Sequence, residues 1–105
     1  MVEDEIRRII DEFARQLNDN HIDYDSLILF GSYAKGNFHK DSDIDIAVIS
    51  SQFGKNRLLE RIKLTKISSK VDSRIEPHPV SLIDWEEGWK QVVYEIKKTG
   101  IKIAA

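Results

Sequence analysis

Apolar side chains at Ile6, Ile9, Ile10, Phe13 and Leu17 recur with the spacing of one helical face, so residues 3–19 predict an amphipathic helix. Glu3, Asp4 and Glu5 place negative charge where a helix N-terminus favours it, and Asn18, Asp19 and Asn20 end the pattern. Leu27, Ile28, Leu29 and Phe30 then form an apolar run short enough for a buried strand over 25–30, bounded by Gly31. Residues 32–35 read as a short helix and 36–40 as a loop. A second strand is expected over 43–49. Asp43, Asp45, Ala47 and Ile49 share one side of it, and Ile44, Ile46 and Val48 the other. Both sides become apolar towards its end, as in an interior strand covered by helices.

The second half continues the alternation. Leu58, Leu59, Ile62 and Ile67 predict a helix over 56–69, with Lys and Arg on its other sides. Residues 71–76 read as a strand with Asp72, Arg74 and Glu76 on one face and Val71, Ser73 and Ile75 on the other. Pro77 follows and holds Glu76 away from helical geometry. Asp84, with Glu87 three residues later, reads as the N-cap of a helix whose apolar face is Trp85, Trp89, Val92, Val93 and Ile96. Gly100 stops that helix, and 101–104 adds a short final strand. No internal repeat or low-complexity tract interrupts the chain.

At 105 residues the chain is read as one domain, residues 1–105, large enough for a modest core. It has no cysteine, which removes disulfides, thiolate zinc sites and a cysteine nucleophile. The acidic opening is unlike a secretory signal, and no apolar stretch approaches membrane-spanning length, so a soluble, cytoplasmic protein without a membrane partner is expected. Sixteen basic and eighteen acidic residues give a net charge of -2. That balance argues against nucleic acid as a strong direct partner, which requires a basic footprint. A free nucleotide needs only a local cluster of cations and amides.

The chemistry concentrates between Phe30 and Asp45. Gly31 and Ser32 stand at a strand-to-helix junction, where unpaired amides and a hydroxyl can cradle phosphate oxygens, although Gly-Ser is also an ordinary turn and helix-cap sequence. Asp43 and Asp45, one apart in a strand, project to the same face and can share hard cations, or can be solvent-facing residues at the strand's entrance. Glu76 could bring a third carboxylate to the same edge, able to accept a proton from an attacking hydroxyl. Lys35 and Lys40 could screen phosphate charge, though a loop lysine is more often simply exposed. Two rival motifs fail. A calcium loop beginning at Asp41 would need glycine and a bidentate glutamate where Ile46 and Gln52 stand, and no Gly-Lys-Ser or Gly-Lys-Thr phosphate loop occurs. His21 and His78 fit no zinc spacing and read as surface or structural residues.

Gly31-Ser32, ten intervening residues, then Asp43-Ile44-Asp45 resembles the signature of the DNA polymerase beta-like nucleotidyltransferase superfamily. The stretch from Phe30 to Val48 most resembles its minimal nucleotidyltransferase branch, whose members often pair with a separate HEPN-domain protein. The likeness covers most of the chain and is most specific over 30–48. It implies an α+β (mixed α/β) fold, a small mixed sheet flanked by helices. It further implies Mg2+, ATP as donor, and transfer of a nucleoside monophosphate to a hydroxyl with release of pyrophosphate. By this resemblance Gly31 and Ser32 match the phosphate-gripping pair; Lys35 is added to the nucleotide contacts on its charge alone. Asp43 and Asp45 match the catalytic metal-binding aspartates, and Glu76 the third acidic residue. The family commonly has aspartate at that third position, and glutamate reaches farther.

The expected activity is therefore nucleotidyl transfer, most readily AMP from ATP onto a tyrosine of a HEPN toxin, which would make this chain an antitoxin. The alternative is a catalytically silent, nucleotide- or protein-binding antitoxin that neutralises its partner sterically. A homo-oligomeric structural protein is a more distant reading.

Overall fold

The computed structural model describes residues 3–88 and 90–104. Helix α1 (Asp4–Asp19) buries Ile6, Ile10, Phe13 and Leu17, the stripe its periodicity predicts. Strand β1 (Ser26–Phe30) leads through Gly31 into the single-turn α2 (Ser32–Lys35), and β2 (Ile44–Ser50) follows. Helix α3 (Arg57–Ser69) crosses to β3 (Ile75–Ser81). Helices α4 (Leu82–Glu87) and α5 (Gln91–Thr99) precede the final strand, β4 (Ile101–Ala104).

The four strands form one mixed sheet in the order β3-β2-β1-β4. β1 pairs antiparallel with β2 and with β4, while β2 and β3 run parallel, as a helical crossover between them allows. Leu27, Leu29, Ile44, Ile46, Val48 and Ile75 point into one core with α1, Leu64 and Ile67 of α3, and Tyr33 of α2. Ile28, Ala47, Ile49 and Val80 point to the other face, against Val93 and Ile96 of α5 and the partly buried Trp85. Both faces of β2 are thus covered, which explains why its sequence loses polar alternation beyond Asp45. No helix among the described residues is long and apolar enough to cross a membrane.

Three expectations are corrected. The strand expected over 71–76 begins only at Ile75 and runs on to Ser81, through Pro77 and Pro79. Val71 and Asp72 still donate to Ser68 of α3, and the Asp72 carboxylate accepts from the Arg74 amide at 2.8 Å, so local bonding holds 71–74 in a turn. β3 lies at the sheet edge, where proline is tolerated because one side of the strand needs no donors.

The helix expected from Asp84 is two helices. Ser81, not Asp84, is the cap, its hydroxyl accepting from the Asp84 amide at 3.1 Å. Gly88 takes the left-handed conformation (φ 70°) that closes α4, and the chain restarts after an extended Lys90. Asp84 instead binds the Lys90 ammonium at 2.7 Å across the break, which holds its carboxyl below the usual aspartate range. Trp89, expected in the apolar stripe, lies outside the described residues.

The third correction concerns α3. Its buried stripe is Leu64, Ile67 and Ser68, whereas Leu58, Leu59 and Ile62 are 70%, 62% and 42% exposed. Leu64→Ala should therefore cost about 2–5 kcal/mol, and Leu59→Ala stay within about 0.5 kcal/mol. Urea unfolding of the two variants checks the contrast, and equal losses would mean that α3 is rotated about its axis.

Candidate active site

Strand pairing aligns three positions across the sheet: Phe30 on β1, Asp45 on β2 and Glu76 on β3. They occupy the face that carries Ile28, Ala47, Ile49 and Val80 farther along, but at this end the cover is incomplete, and Asp45, Glu76 and His78 are all half-buried.

Because β1 runs antiparallel to β2, it ends where β2 begins, and the chain leaves it at Gly31 beside Asp45. Gly31 has φ 74° and ψ -151°, a conformation closed to other residues, and a Cβ there would collide with Oδ2 of Asp45. The glycine therefore meets two demands, a turn and a close approach to a carboxylate. Ser32 opens α2, and Lys35 is exposed at its last position, three residues on and on the same side.

The other oxygen of Asp45, Oδ1, lies 3.2 Å from Nε2 of His78. The imidazole stands edge-on to Phe30, with ring centroids 4.9 Å apart. Asp45 is consequently held between the Gly31 backbone and a histidine whose own orientation is fixed by packing. Glu76 receives the Arg61 guanidinium at 2.8 Å; these side chains remain 40% and 45% exposed, so the ion pair is weak enough to exchange partners. Asp43 is exposed just outside β2, two residues before Asp45 on the same side.

Among the described residues, no group of three or more His, Cys, Asp or Glu side chains is gathered so as to hold a metal ion, and Glu76 binds Arg61. The available donors at this edge are the carboxylate oxygens of Asp43, Asp45 and Glu76, a hard set whose chemistry fits Mg2+. A cleft of about 260 Å³ adjoins the site along the β3 edge, lined by Arg57, Leu58, Arg61, His78, Val80 and Val92 among others.

Of the residues singled out from sequence, Gly31, Asp45 and Glu76 converge, Ser32 and Asp43 flank them, and Lys35 stands at the far end of α2. His78 and Arg61 were not anticipated as neighbours of these carboxylates. The signal for His78 was its two-residue separation from Glu76, legible only once the strand is known to pass through both prolines. Arg61 gave none, being one more cation on a helix rich in them.

The sequence profile of the family described as Polymerase beta, Nucleotidyltransferase matches residues 10–105. Putative protein adenylyltransferase MJ0141 of Methanocaldococcus jannaschii is 37% identical over 67 residues, covering 63% of this chain and 66% of that protein, just under two thirds of its length. Among solved structures, a toxin-antitoxin complex with AMP-PNP superposes with a TM-score of 0.63 at 27% identity, covering 89% of this chain and 70% of its counterpart. A mutant of the toxin-antitoxin MntA-HpeT gives 0.63 at 25% identity over the same shares.

The contact between Gly31 and Asp45 can be separated from backbone strain. Gly36 also has positive φ but open space around it, so Gly36→Ala should cost about 1–2 kcal/mol from conformation alone. Gly31→Ala meets both a backbone region closed to alanine and the collision, and should cost more, with the His78 ring resonances shifting by NMR. Made in an Asp45→Ala background it should cost less than in wild type, and equal costs in the two backgrounds would remove the carboxylate from the argument.

Proposed function

The chain belongs to the polymerase beta nucleotidyltransferase family, and from that membership we propose that it transfers AMP from ATP onto a protein hydroxyl. The observation that carries this reading is the register that sets Asp45 beside Glu76, with Gly31 closely apposed to the Asp45 carboxylate. It gives the site two sides. On the β1 side, the amides and hydroxyl of Gly31 and Ser32 grip the phosphate chain, with Lys35 as an outer cation. On the β3 side, Glu76 accepts the proton of the incoming hydroxyl once that hydroxyl displaces Arg61.

Asp43, Asp45 and Glu76 would hold Mg2+, which when bound neutralises phosphate charge and steadies the attacking and leaving oxygens. The residues do the rest by position. Gly31 sets Oδ2 of Asp45 next to the phosphate turn, and His78 keeps Oδ1 from rotating. The acceptor oxygen forms a bond to the α-phosphorus in line with the bond to the β-phosphate, which breaks and releases pyrophosphate. The hydroxyl proton passes to Glu76.

We read residues 1–105 as one minimal nucleotidyltransferase domain whose acceptor is another protein. The names of the similar proteins, an adenylyltransferase and toxin-antitoxin complexes, support a toxin as that partner. The preferred acceptor is a tyrosine of a HEPN-domain toxin, with this chain the cytoplasmic antitoxin. Intact-mass analysis of a co-encoded HEPN protein incubated with this chain and MgATP should show one or more added AMP groups. The Asp43→Asn/Asp45→Asn variant should abolish the addition. An unmodified acceptor in a formed complex, neutralised equally well by the double variant, would favour steric neutralisation instead.

A further inference from the structure

Helix α3 leaves apolar side chains in solvent over its first two turns. A surface helix normally turns apolar residues inward and charges outward. In its second half α3 obeys, burying Leu64, Ile67 and Ser68. One and two turns earlier the same stripe falls on Arg57, Glu60 and Arg61; Arg57 lines the adjoining cleft, and the other two are occupied locally. Glu60 folds back to accept from the amides of Gly54, Lys55 and Asn56 at 3.1–3.3 Å, and Arg61 binds Glu76. Leu58, Leu59 and Ile62 are left as a contiguous outward ridge, adjacent at i, i+3 and i+4. Five large hydrophobic side chains are exposed among the described residues, and three of them are this ridge.

Its location gives it a partner. Gly31 and Ser32, the phosphate side of the site, lie at the end of β1, on one flank of Asp45. Glu76, Arg61 and the ridge lie on the other flank, at the β3 edge. Leu58 also lines the cleft with Arg57, Arg61 and His78, and Arg61 in turn binds Glu76, so the ridge stands one residue away from the group that would take the acceptor's proton.

We propose that the Leu58-Leu59-Ile62 ridge of α3, together with the cleft beside it, is the docking surface for the protein that receives the nucleotide. The occupant is a segment presenting apolar side chains to the ridge, an acidic group to Arg57 and the acceptor hydroxyl to Glu76. Contact of this kind suits a substrate that docks and leaves, because three ridge residues cover only part of the roughly 800 Å² per partner of a standard stable interface. The proposal rests on the reading of the site as a protein nucleotidyltransferase and adds where its acceptor binds.

The test uses the full chain, the co-encoded HEPN protein as probe, and Leu58→Ser/Leu59→Ser and Ile62→Ser variants, with Tyr94→Ser as a control at an exposed apolar residue of α5. The ridge variants should raise the KM for the acceptor protein about tenfold or more while leaving kcat unchanged. Direct affinity for the acceptor should fall in parallel, and the thermal shift given by Mg-AMP-PNP should match wild type, as should everything in Tyr94→Ser. Unchanged acceptor KM and affinity in the double variant would overturn the proposal. So would a loss of self-association in the double variant with no loss of acceptor affinity, since the ridge would then belong to a second copy of this chain. If wild type binds the acceptor without modifying it and the ridge variants lose that binding, the docking surface stands and the transferase reading fails. Absence of both binding and modification in wild type would overturn both.

Discussion

The parallel pairing of β2 with β3 is the constraint from which the site follows. Asp45 and Glu76 are thirty-one residues apart in sequence and become lateral neighbours only because Ile44 pairs with Ile75 and each later residue keeps step to Ser50 and Ser81. A slip of one residue would turn Glu76 and His78 to the opposite face. Burial prevents that slip. Ile44, Ile46 and Ile75 are committed to one core, and Ala47, Ile49 and Val80 to the other. The apolar residues of the two strands thus set the carboxylate geometry, although none of them contacts a reacting atom.

The β1 side is positioned by a different device. Helix α2 has only one turn and cannot be stable through its own hydrogen bonds. It is anchored by Tyr33, buried in the first core and stacked on Phe38 with centroids 4.4 Å apart. The loop that follows is tied down from the far side by Arg74, which reaches the Lys40 carbonyl, Asp72 and Glu5 of α1. The same guanidinium holds the Asp72 carboxyl below the usual aspartate range. Gly31 therefore sits between two fixed points, the end of β1 and an anchored aromatic, and its approach to Asp45 is dictated rather than sampled.

Much of this was legible in the sequence where one element controls its own pattern. The stripe of α1, the apolar run of β1 and the paired faces of β2 need only local periodicity, while the spacing from Gly31 to Asp45 carried meaning through its resemblance to a family signature. The misreadings came where a non-local partner overrode local preference. The strand expected over 71–76 stopped short of Pro77, yet β3 is an edge strand and runs through that proline. The apolar periodicity from Trp85 to Ile96 ran across Gly88 undisturbed, while the backbone used that glycine to stop. His78 looked inert because its partner, Asp45, belongs to another strand, and strand register is not written in either segment alone.

Helix α3 shows how these demands compete within a single element. As the crossover between parallel strands it must pack on the sheet, which its second half does through Leu64 and Ile67. Its first half lies over the open edge of β3, where Arg61 reaches Glu76. Turning Leu58 and Leu59 inward would carry Arg61 away from Glu76, but that ion pair, 45% and 40% exposed, is too weak to set the orientation of the helix by itself. The orientation of α3 is set by its second half, where Leu64 and Ile67 are buried, and the first half follows. It leaves apolar side chains in solvent on the one flank of Asp45 that the phosphate turn does not occupy.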